Sequence, residues 1–257
     1  MAVPLGRDVI LLPGGVMPAE LAYRDLLPLV SPGARALAKE LEIYSTPEPP
    51  AKYGLDLEVA GILRVADEAG FGRFHLVGYS AGGASCLAFT AAHPDRLLSL
   101  ALSEPAWDGV IDGSDEEIAL WNEFRSIGER PPEQRMSAFV RAQLRNGVQA
   151  PPPPPGPPPP WMDKRPAGLA ALIRTFLDTR LDPARLRSFD RPVYFAVGGL
   201  SNPDYYARMS KRLAGLFSDL TIDLYPDRHH FDPPHRAEPE RFAEALKNFW
   251  ARAESLR

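Results

Sequence analysis

The chain has 257 residues, of which 45% are hydrophobic and 24% charged, and it carries a formal net charge of −4 at pH 7. This length allows one large α/β domain with an inserted subdomain, or two small domains. The mild acidity argues against nucleic acid or an anionic membrane as a partner, because both require a concentrated basic face. The single cysteine, Cys86, excludes a disulfide framework and a thiolate metal site, so no metal is expected.

Short apolar runs alternate with helical patterns over the first hundred residues, which predicts a mostly parallel sheet with helices on both faces. The predicted strands are 9–12, 34–38, 74–78 and 97–103, and the predicted helices are 20–30, 55–70 and 81–93. The apolar run before Pro13 has only four residues, so neither a signal peptide nor a membrane span is expected there or elsewhere. A cytoplasmic protein is therefore the expectation.

The alternation stops after Glu104 and resumes with strand 193–197, helix 204–217, strand 220–225 and a closing helix at 239–253. Residues 1–104 and 190–257 are thus predicted to form the core, and 105–189 a cap or lid inserted between two strands. Nine of the 29 prolines lie in 151–160, which predicts a polyproline II strap. A ligand for an SH3-type partner is the alternative, but no basic residue follows before Lys164, so a rigid connector is favoured.

The segment GYSAGG, residues 78–83, follows a predicted buried strand and precedes a helix of small residues. It fits the G-x-S-x-G pattern, in which a sharp strand-to-helix turn needs small neighbours and lifts the serine clear of the sheet. The turn also directs the first helix amides, beginning with that of Ala81, at an oxyanion. An ordinary glycine-rich turn is the simpler interpretation, but strand, helix and chain position together favour Ser80 as a nucleophile.

With this motif the chain resembles the α/β-hydrolase superfamily along nearly its whole length. The segment VILLPGGV, residues 9–16, is similar to the strand and loop that the family often writes as LLHGG, and ARALAKEL, residues 34–41, is similar to its RVIAPDL. The first match implies that Gly15 supplies the second oxyanion amide, with Val16 next in line. The short N-terminus implies the family's sheet without its first two strands.

A loop with two adjacent histidines follows the last predicted strand and resembles the family's G-H-F loop, followed by a P-E helix start. His230 takes the matching position, which implies that it is the general base. His229 is the alternative, although a supporting or solvent-facing neighbour is its simpler interpretation. His235 falls where many members carry a further, non-catalytic histidine, and His75 and His93 are interpreted as structural.

The usual position of the family's acid, in the turn after strand 193–197, holds Asn202 or, with a shift of one residue, Ser201. The first alternative is Glu104, at the end of the strand next to the nucleophile, where a group of haloalkane dehalogenases carries its acid. The second is Asp204, although an anion in the first turn of a helix capped by Asn202 explains that residue without any catalytic role. The third is a dyad in which Asn202 or Ser201 orients the histidine. Glu104 is preferred.

The substrate is expected to be a small molecule with a largely apolar body. Aromatic residues of the insertion can line an apolar pocket, and no cluster of basic residues near the motifs suggests a strongly anionic substrate. The residues expected to contact it are Val16, Met17, Tyr79, Trp107 and Trp161.

These features predict a cofactor-independent serine hydrolase that cleaves a carboxylic ester or lactone through an acyl-enzyme. One alternative keeps the triad but performs perhydrolysis, a lyase step or a cyclisation in a biosynthetic pathway, since the fold hosts many reactions. The other is a non-catalytic ligand-binding protein, which the missing turn aspartate keeps open.

Overall fold

The computed structural model describes residues 6–109, 114–127, 129–149, 152 and 155–256. Six strands form one sheet in the order β2-β1-β3-β4-β5-β6, and every neighbouring pair is parallel. The strands are β1 Arg7–Leu12, β2 Ala34–Ala38, β3 Phe74–Tyr79, β4 Leu97–Ser103, β5 Val193–Gly198 and β6 Leu220–Tyr225. The predicted α/β fold with a parallel sheet is confirmed.

Eleven α-helices occur in the described part of the chain: α1 Ala19–Ala22, α2 Leu27–Val30, α3 Leu55–Glu68, α4 Ala81–Ala92, α5 Asp115–Ile127, α6 Pro132–Ala142, α7 Arg165–Asp178, α8 Pro183–Arg187, α9 Pro203–Leu216, α10 Pro234–Ala237 and α11 Pro239–Ser255. The pattern at 20–30 forms two short helices instead of the single predicted one, because Pro28, in the first turn of α2, cannot continue a helix from α1. Among the described residues, none of these helices has both the length and the apolar character that crossing a membrane requires.

The sheet is covered on both faces, as continuous apolar strands require. All seven residues of β4 are buried, and α4 is buried from Ala81 to Ala91 because its small side chains let it lie close against the sheet. Helices α3 and α8 pack on α4. On the other face, α11 packs on β4 and also contacts α2. The carboxyl ends of all six strands therefore share one edge, where ligands bind in such sheets.

Helices α5 to α8 lie between β4 and β5, within residues 105–189, which we call the insert. Helix α5 packs on α6, α7 and the core helix α9. A short 3₁₀ helix, Pro160–Lys164, precedes α7. Pro151, Pro153 and Pro154 lie outside the described residues, so the polyproline strap stays a prediction.

Candidate active site

Ser80 occupies the turn between β3 and α4 with φ 51° and ψ −119°, a backbone conformation that costs free energy for any residue but glycine. Close contacts explain why glycine is found two residues before and two residues after Ser80. A Cβ at Gly78 would lie 2.6 Å from Cys86 Sγ, and one at Gly82 would lie 2.5 Å from the carbonyl oxygens of Leu12 and Pro13 at the end of β1. The turn is held from both sides, since the Ser80 amide donates to Ser103 (3.1 Å) and its carbonyl accepts from Ala106 (2.9 Å).

His230 lies in the loop after β6 and is almost completely buried. Its Nε2 is 3.0 Å from Ser80 Oγ, and its Nδ1 is 3.1 Å from Glu104 Oε2. The Tyr79 hydroxyl donates to the His230 carbonyl oxygen and so ties this loop to the end of β3. The three side chains form one hydrogen-bonded line that begins at the strained turn.

Glu104 follows β4 directly and has φ 40°, so the chain turns sharply as it leaves the sheet. Its amide donates to Ala196 on β5 (3.2 Å), and its Oε1 accepts from the Gly198 amide at the end of β5 (2.8 Å). The carboxylate is buried, and these bonds leave Oε2 directed at His230. Such a carboxylate is stable only because both oxygens have donors.

The turn after β5 takes a different role. Asn202 caps α9, since its Oδ1 accepts from the Asp204 amide (3.0 Å) while its Nδ2 donates to the Ala142 carbonyl (2.8 Å). Asp204 is exposed in the first turn of α9. Ser201 is buried and pairs with Leu144 in an isolated β-bridge. Within the described residues, no hydrogen bond joins any of these three side chains to His230.

Tyr206 is a partner of His230 that the sequence did not reveal. Its ring stacks on the imidazole with 5.2 Å between centroids, and its hydroxyl oxygen lies 2.7 Å from Nδ1 and 3.1 Å from Gln143 Oε1. Burial raises the pKa of the Tyr206 phenol well above its usual value, and the nearby charge of Glu104 adds to the effect, so the hydroxyl stays protonated. A tyrosine on the apolar stripe of an amphipathic helix gives no sequence signal beyond packing.

A cavity of about 760 Å³, its opening to solvent included, leads to Ser80. Val16, Met17 and Tyr79 line it, as do Gly15 and Ala81. A methyl group added at Gly15 would lie 3.7 Å from the Ala81 Cβ, so the two expected oxyanion donors are neighbours. The Tyr44 hydroxyl donates to the Gly15 carbonyl (2.6 Å) and thereby fixes the plane of the next peptide, which carries the Val16 amide.

The insert supplies the apolar wall of this cavity through Trp121, Phe124, Phe139, Leu169, Leu172, Ile173 and Phe176. Trp107 and Trp161, expected at the substrate, are not among the lining residues. Trp107 is 1% exposed and stacks behind Phe176, with 5.9 Å between ring centroids. Trp161 lies in the 3₁₀ helix before α7, with its ring 5.7 Å from the Arg165 guanidinium. Gln143 and the exposed Arg236 add polar groups to the wall.

The remaining histidines lie apart from this line of hydrogen bonds. His235 is buried between Tyr23 and Tyr79, and burial, followed by the charge of Arg236, lowers its pKa to about 3. His75 on β3 has its Nδ1 2.8 Å from Oγ of Ser99, its register partner on β4, and His93 is the C-cap of α4.

Comparisons with known proteins identify hydrolases as similar in sequence and in fold. A sequence profile of the alpha/beta hydrolase family matches residues 9–245. A relative from Caulobacter segnis, by name a carbamate hydrolase, is 31% identical over 99 residues, and the match spans 36% of this chain and 36% of that relative, about a third of its length. An esterase from Thermogutta terrifontis has a TM-score of 0.73 at 16% identity, covering 96% of this chain and 90% of that one. A hydrolase from Pseudomonas aeruginosa has a TM-score of 0.70 at 17% identity, covering 97% and 91%.

Proposed function

The chain belongs to the alpha/beta hydrolase family, and we propose that it is a serine hydrolase acting on an ester-like bond. The hydrolases to which it is similar support hydrolase activity. The observation that carries the proposal is the buried line from Ser80 Oγ through the His230 ring to Glu104, with steps of 3.0 and 3.1 Å. This is the arrangement of nucleophile, base and orienting acid that acyl transfer requires.

In the proposed reaction, Ser80 Oγ attacks the substrate carbonyl while His230 Nε2 accepts its proton. Glu104 holds the other ring proton on Nδ1 and stabilises the imidazolium. The amides of Ala81 and Gly15 donate to the oxyanion of the tetrahedral intermediate. His230 then returns the proton to the leaving alcohol, and the same groups activate water to cleave the acyl-enzyme and restore Ser80.

The proposed substrate is a small carboxylic ester or lactone with an apolar acyl group. Apolar side chains of the insert line the cavity, so the transfer of an acyl chain from water into it is favourable. The name of the Caulobacter relative makes a carbamate, which presents a similar carbonyl to the nucleophile, the second substrate class to assay.

A fluorophosphonate probe tests the nucleophile, because it modifies only an activated serine. The folded protein should be labelled, and Ser80→Ala should abolish the labelling. Ser99→Ala is the matched control, because it removes the hydroxyl of a second buried serine–histidine pair, which lies away from the cavity, and it should leave labelling unchanged.

The reaction class is tested with p-nitrophenyl esters of two to eight acyl carbons, a matching carbamate, and acetate with peroxide. Ester hydrolysis that rises with acyl length and disappears in Ser80→Ala supports the proposal. Labelling without hydrolysis, but with oxidation of a halide reporter in peroxide, would favour a perhydrolase. Absence of labelling in folded protein would refute the nucleophile and leave a ligand-binding protein.

A further inference from the structure

His230 Nδ1 has two acceptors within reach where a serine–histidine–acid line needs one. Glu104 Oε2 is 3.1 Å away and the Tyr206 hydroxyl oxygen is 2.7 Å away. Nδ1 carries at most one proton, so the two oxygens share a single N–H. The closer oxygen is the neutral one, and it belongs to a side chain stacked on the ring. Tyr206 therefore contacts the base at the atom that sets its tautomer.

The direction of the tyrosine hydroxyl follows from Gln143. The amide nitrogen of Gln143 donates to the Phe139 carbonyl (3.2 Å), which leaves its Oε1 facing Tyr206 at 3.1 Å. Since Oε1 can only accept, the Tyr206 hydroxyl donates to Gln143 and presents a lone pair to His230 Nδ1. If the hydroxyl donated to Nδ1 instead, the ring proton would be on Nε2. Nε2 could then not accept the proton of Ser80.

Gln143 is itself fixed because the segment that carries it, residues 142–145, is bound to the turn after β5. The Asn202 amide donates to the Gln143 carbonyl (2.9 Å), and the Asn202 side chain donates to the Ala142 carbonyl (2.8 Å). The Arg145 amide donates to the Leu200 carbonyl (2.9 Å). Gln143 is also buried, at 3% exposure. Its side chain thus has little freedom to release the Tyr206 hydroxyl.

We propose that Tyr206 is a positioning residue for His230 and that Gln143, from the insert, sets the direction of its hydroxyl, so that the insert helps to hold the base with its proton on Nδ1. This inference rests on the proposed function, in which His230 Nε2 takes the proton of Ser80. It assigns the insert a part in the chemistry in addition to lining the cavity. Gln143 takes part in both, since it also lines the cavity.

The first test compares Tyr206→Phe with Tyr205→Phe. Both remove a buried hydroxyl from the first turn of α9, but that of Tyr205 donates to the Ala106 carbonyl (2.6 Å) and does not contact His230. Tyr206→Phe should lower kcat for a p-nitrophenyl ester about tenfold, with KM nearly unchanged, because the lost bond supports the imidazolium and not the substrate. Tyr205→Phe should change kcat less than about threefold.

Two readouts separate positioning from packing. Among the residues that the structure describes, Glu104, Tyr206 and Tyr79 are the ionisable side chains hydrogen-bonded to His230. Loss of the Tyr206 acceptor should therefore move the acidic limb of the kcat/KM profile to lower pH. The ¹⁵N resonances of the His230 ring should show mainly Nδ1 protonated in the parent protein and a changed Nδ1–H signal in Tyr206→Phe. Tyr205→Phe should leave both readouts as in the parent.

Gln143→Met provides a second variant that keeps the side-chain length and removes the acceptor. Freed from Gln143, the Tyr206 hydroxyl can donate to Nδ1, so the fraction of His230 protonated on Nε2 should rise and kcat should fall several-fold. In a Tyr206→Phe background the same change should leave the tautomer of His230 almost unchanged, because the two residues act on the ring through one hydroxyl.

Unchanged pH profile and ring signals in a folded Tyr206→Phe, or purely additive effects of the two substitutions on the tautomer of His230, would overturn the inference. If Tyr206→Phe does not fold, Gln143→Met with an unchanged tautomer overturns it equally. Failure of the proposed function itself looks different, since the parent protein would then not react with the fluorophosphonate probe, whatever the state of Tyr206.

Discussion

Replacing Glu104 by glutamine changes one oxygen to an amide nitrogen and keeps the shape of the side chain. Both carboxylate oxygens now accept hydrogen bonds, one from the Gly198 amide at 2.8 Å and one from His230 Nδ1 at 3.1 Å. A glutamine can offer an acceptor to only one of these donors. In either orientation, the amide nitrogen of the glutamine replaces an oxygen that accepts a hydrogen bond, from Gly198 or from His230.

The two orientations have different costs. With the amide oxygen on Gly198, the amide nitrogen donates to Nδ1, the ring proton moves to Nε2, and His230 cannot accept the proton of Ser80. With the oxygen on His230, the Gly198 amide is left opposed to a donor, which costs about 1–3 kcal/mol. Loss of the carboxylate in a serine–histidine triad costs about 10⁴-fold in kcat. Because the Tyr206 oxygen still accepts from Nδ1, we expect about 10³-fold here, which is ~4 kcal/mol.

The assay is kcat for a p-nitrophenyl ester, with thermal unfolding to verify that the variant is folded. Asp204→Asn is the matched control, because it also neutralises one carboxylate near the site but an exposed one in the first turn of α9. It should cost a few tenths of a kcal/mol of stability and leave kcat unchanged. A folded Glu104→Gln within tenfold of the parent kcat, or a large loss in Asp204→Asn, would refute the assignment of the acid.

Three further predictions concern the scaffold of the site. Gly82→Ala forces a methyl group to 2.5 Å from two carbonyl oxygens and should destabilise the fold by more than about 3 kcal/mol in urea unfolding, whereas Gly215→Ala, on the open face of α9, should stabilise it by about 0.4–1 kcal/mol. Because the pKa of His235 is lowered to about 3, the folded state resists its protonation and loses stability as pH falls below about 6.5. His235→Gln should therefore lose about 2 kcal/mol less than the parent between pH 7 and pH 5. Asn202→Ala should lower the free energy of unfolding by about 1–2 kcal/mol, since it removes a helix cap and the bond to Ala142, and an unchanged thermal midpoint would contradict both roles.

The sheet and the turn at Ser80 were predictable because their constraints are local. A strand buried on both faces must be continuously apolar, as β4 is, and β4 begins and ends at the predicted residues. The more exposed edge strands β2 and β6 also have the predicted bounds. The turn at Ser80 needs glycine at fixed offsets, which the sequence displays directly. The position of Glu104 close to the turn at Ser80 was also predictable, because parallel strands end at one edge of the sheet and β4 neighbours β3.

The residues that sequence did not reveal act through contacts between distant segments. Tyr206 and Gln143 are 63 residues apart and meet only because the insert returns to the turn after β5. Nothing in the amphipathic pattern of α9 distinguishes Tyr206, which contacts His230, from Tyr205, which contacts Ala106. Trp107 illustrates the reverse case, because an aromatic residue just past β4 packs behind the cavity wall rather than in it.

The turn after β5 shows why the proposed acid, Glu104, lies directly after β4 instead. Asn202 donates from Nδ2 to the Ala142 carbonyl at 2.8 Å, so an aspartate in its place would set a carboxylate oxygen against a carbonyl oxygen. The side chain at 202 can thus bind the insert or orient the histidine, and here it binds the insert. Tyr206 follows four residues later, one turn of helix along the same face, which brings its hydroxyl to His230 Nδ1. The packing of the insert on this turn and the contacts of Glu104 and Tyr206 with His230 are therefore two consequences of the same local arrangement.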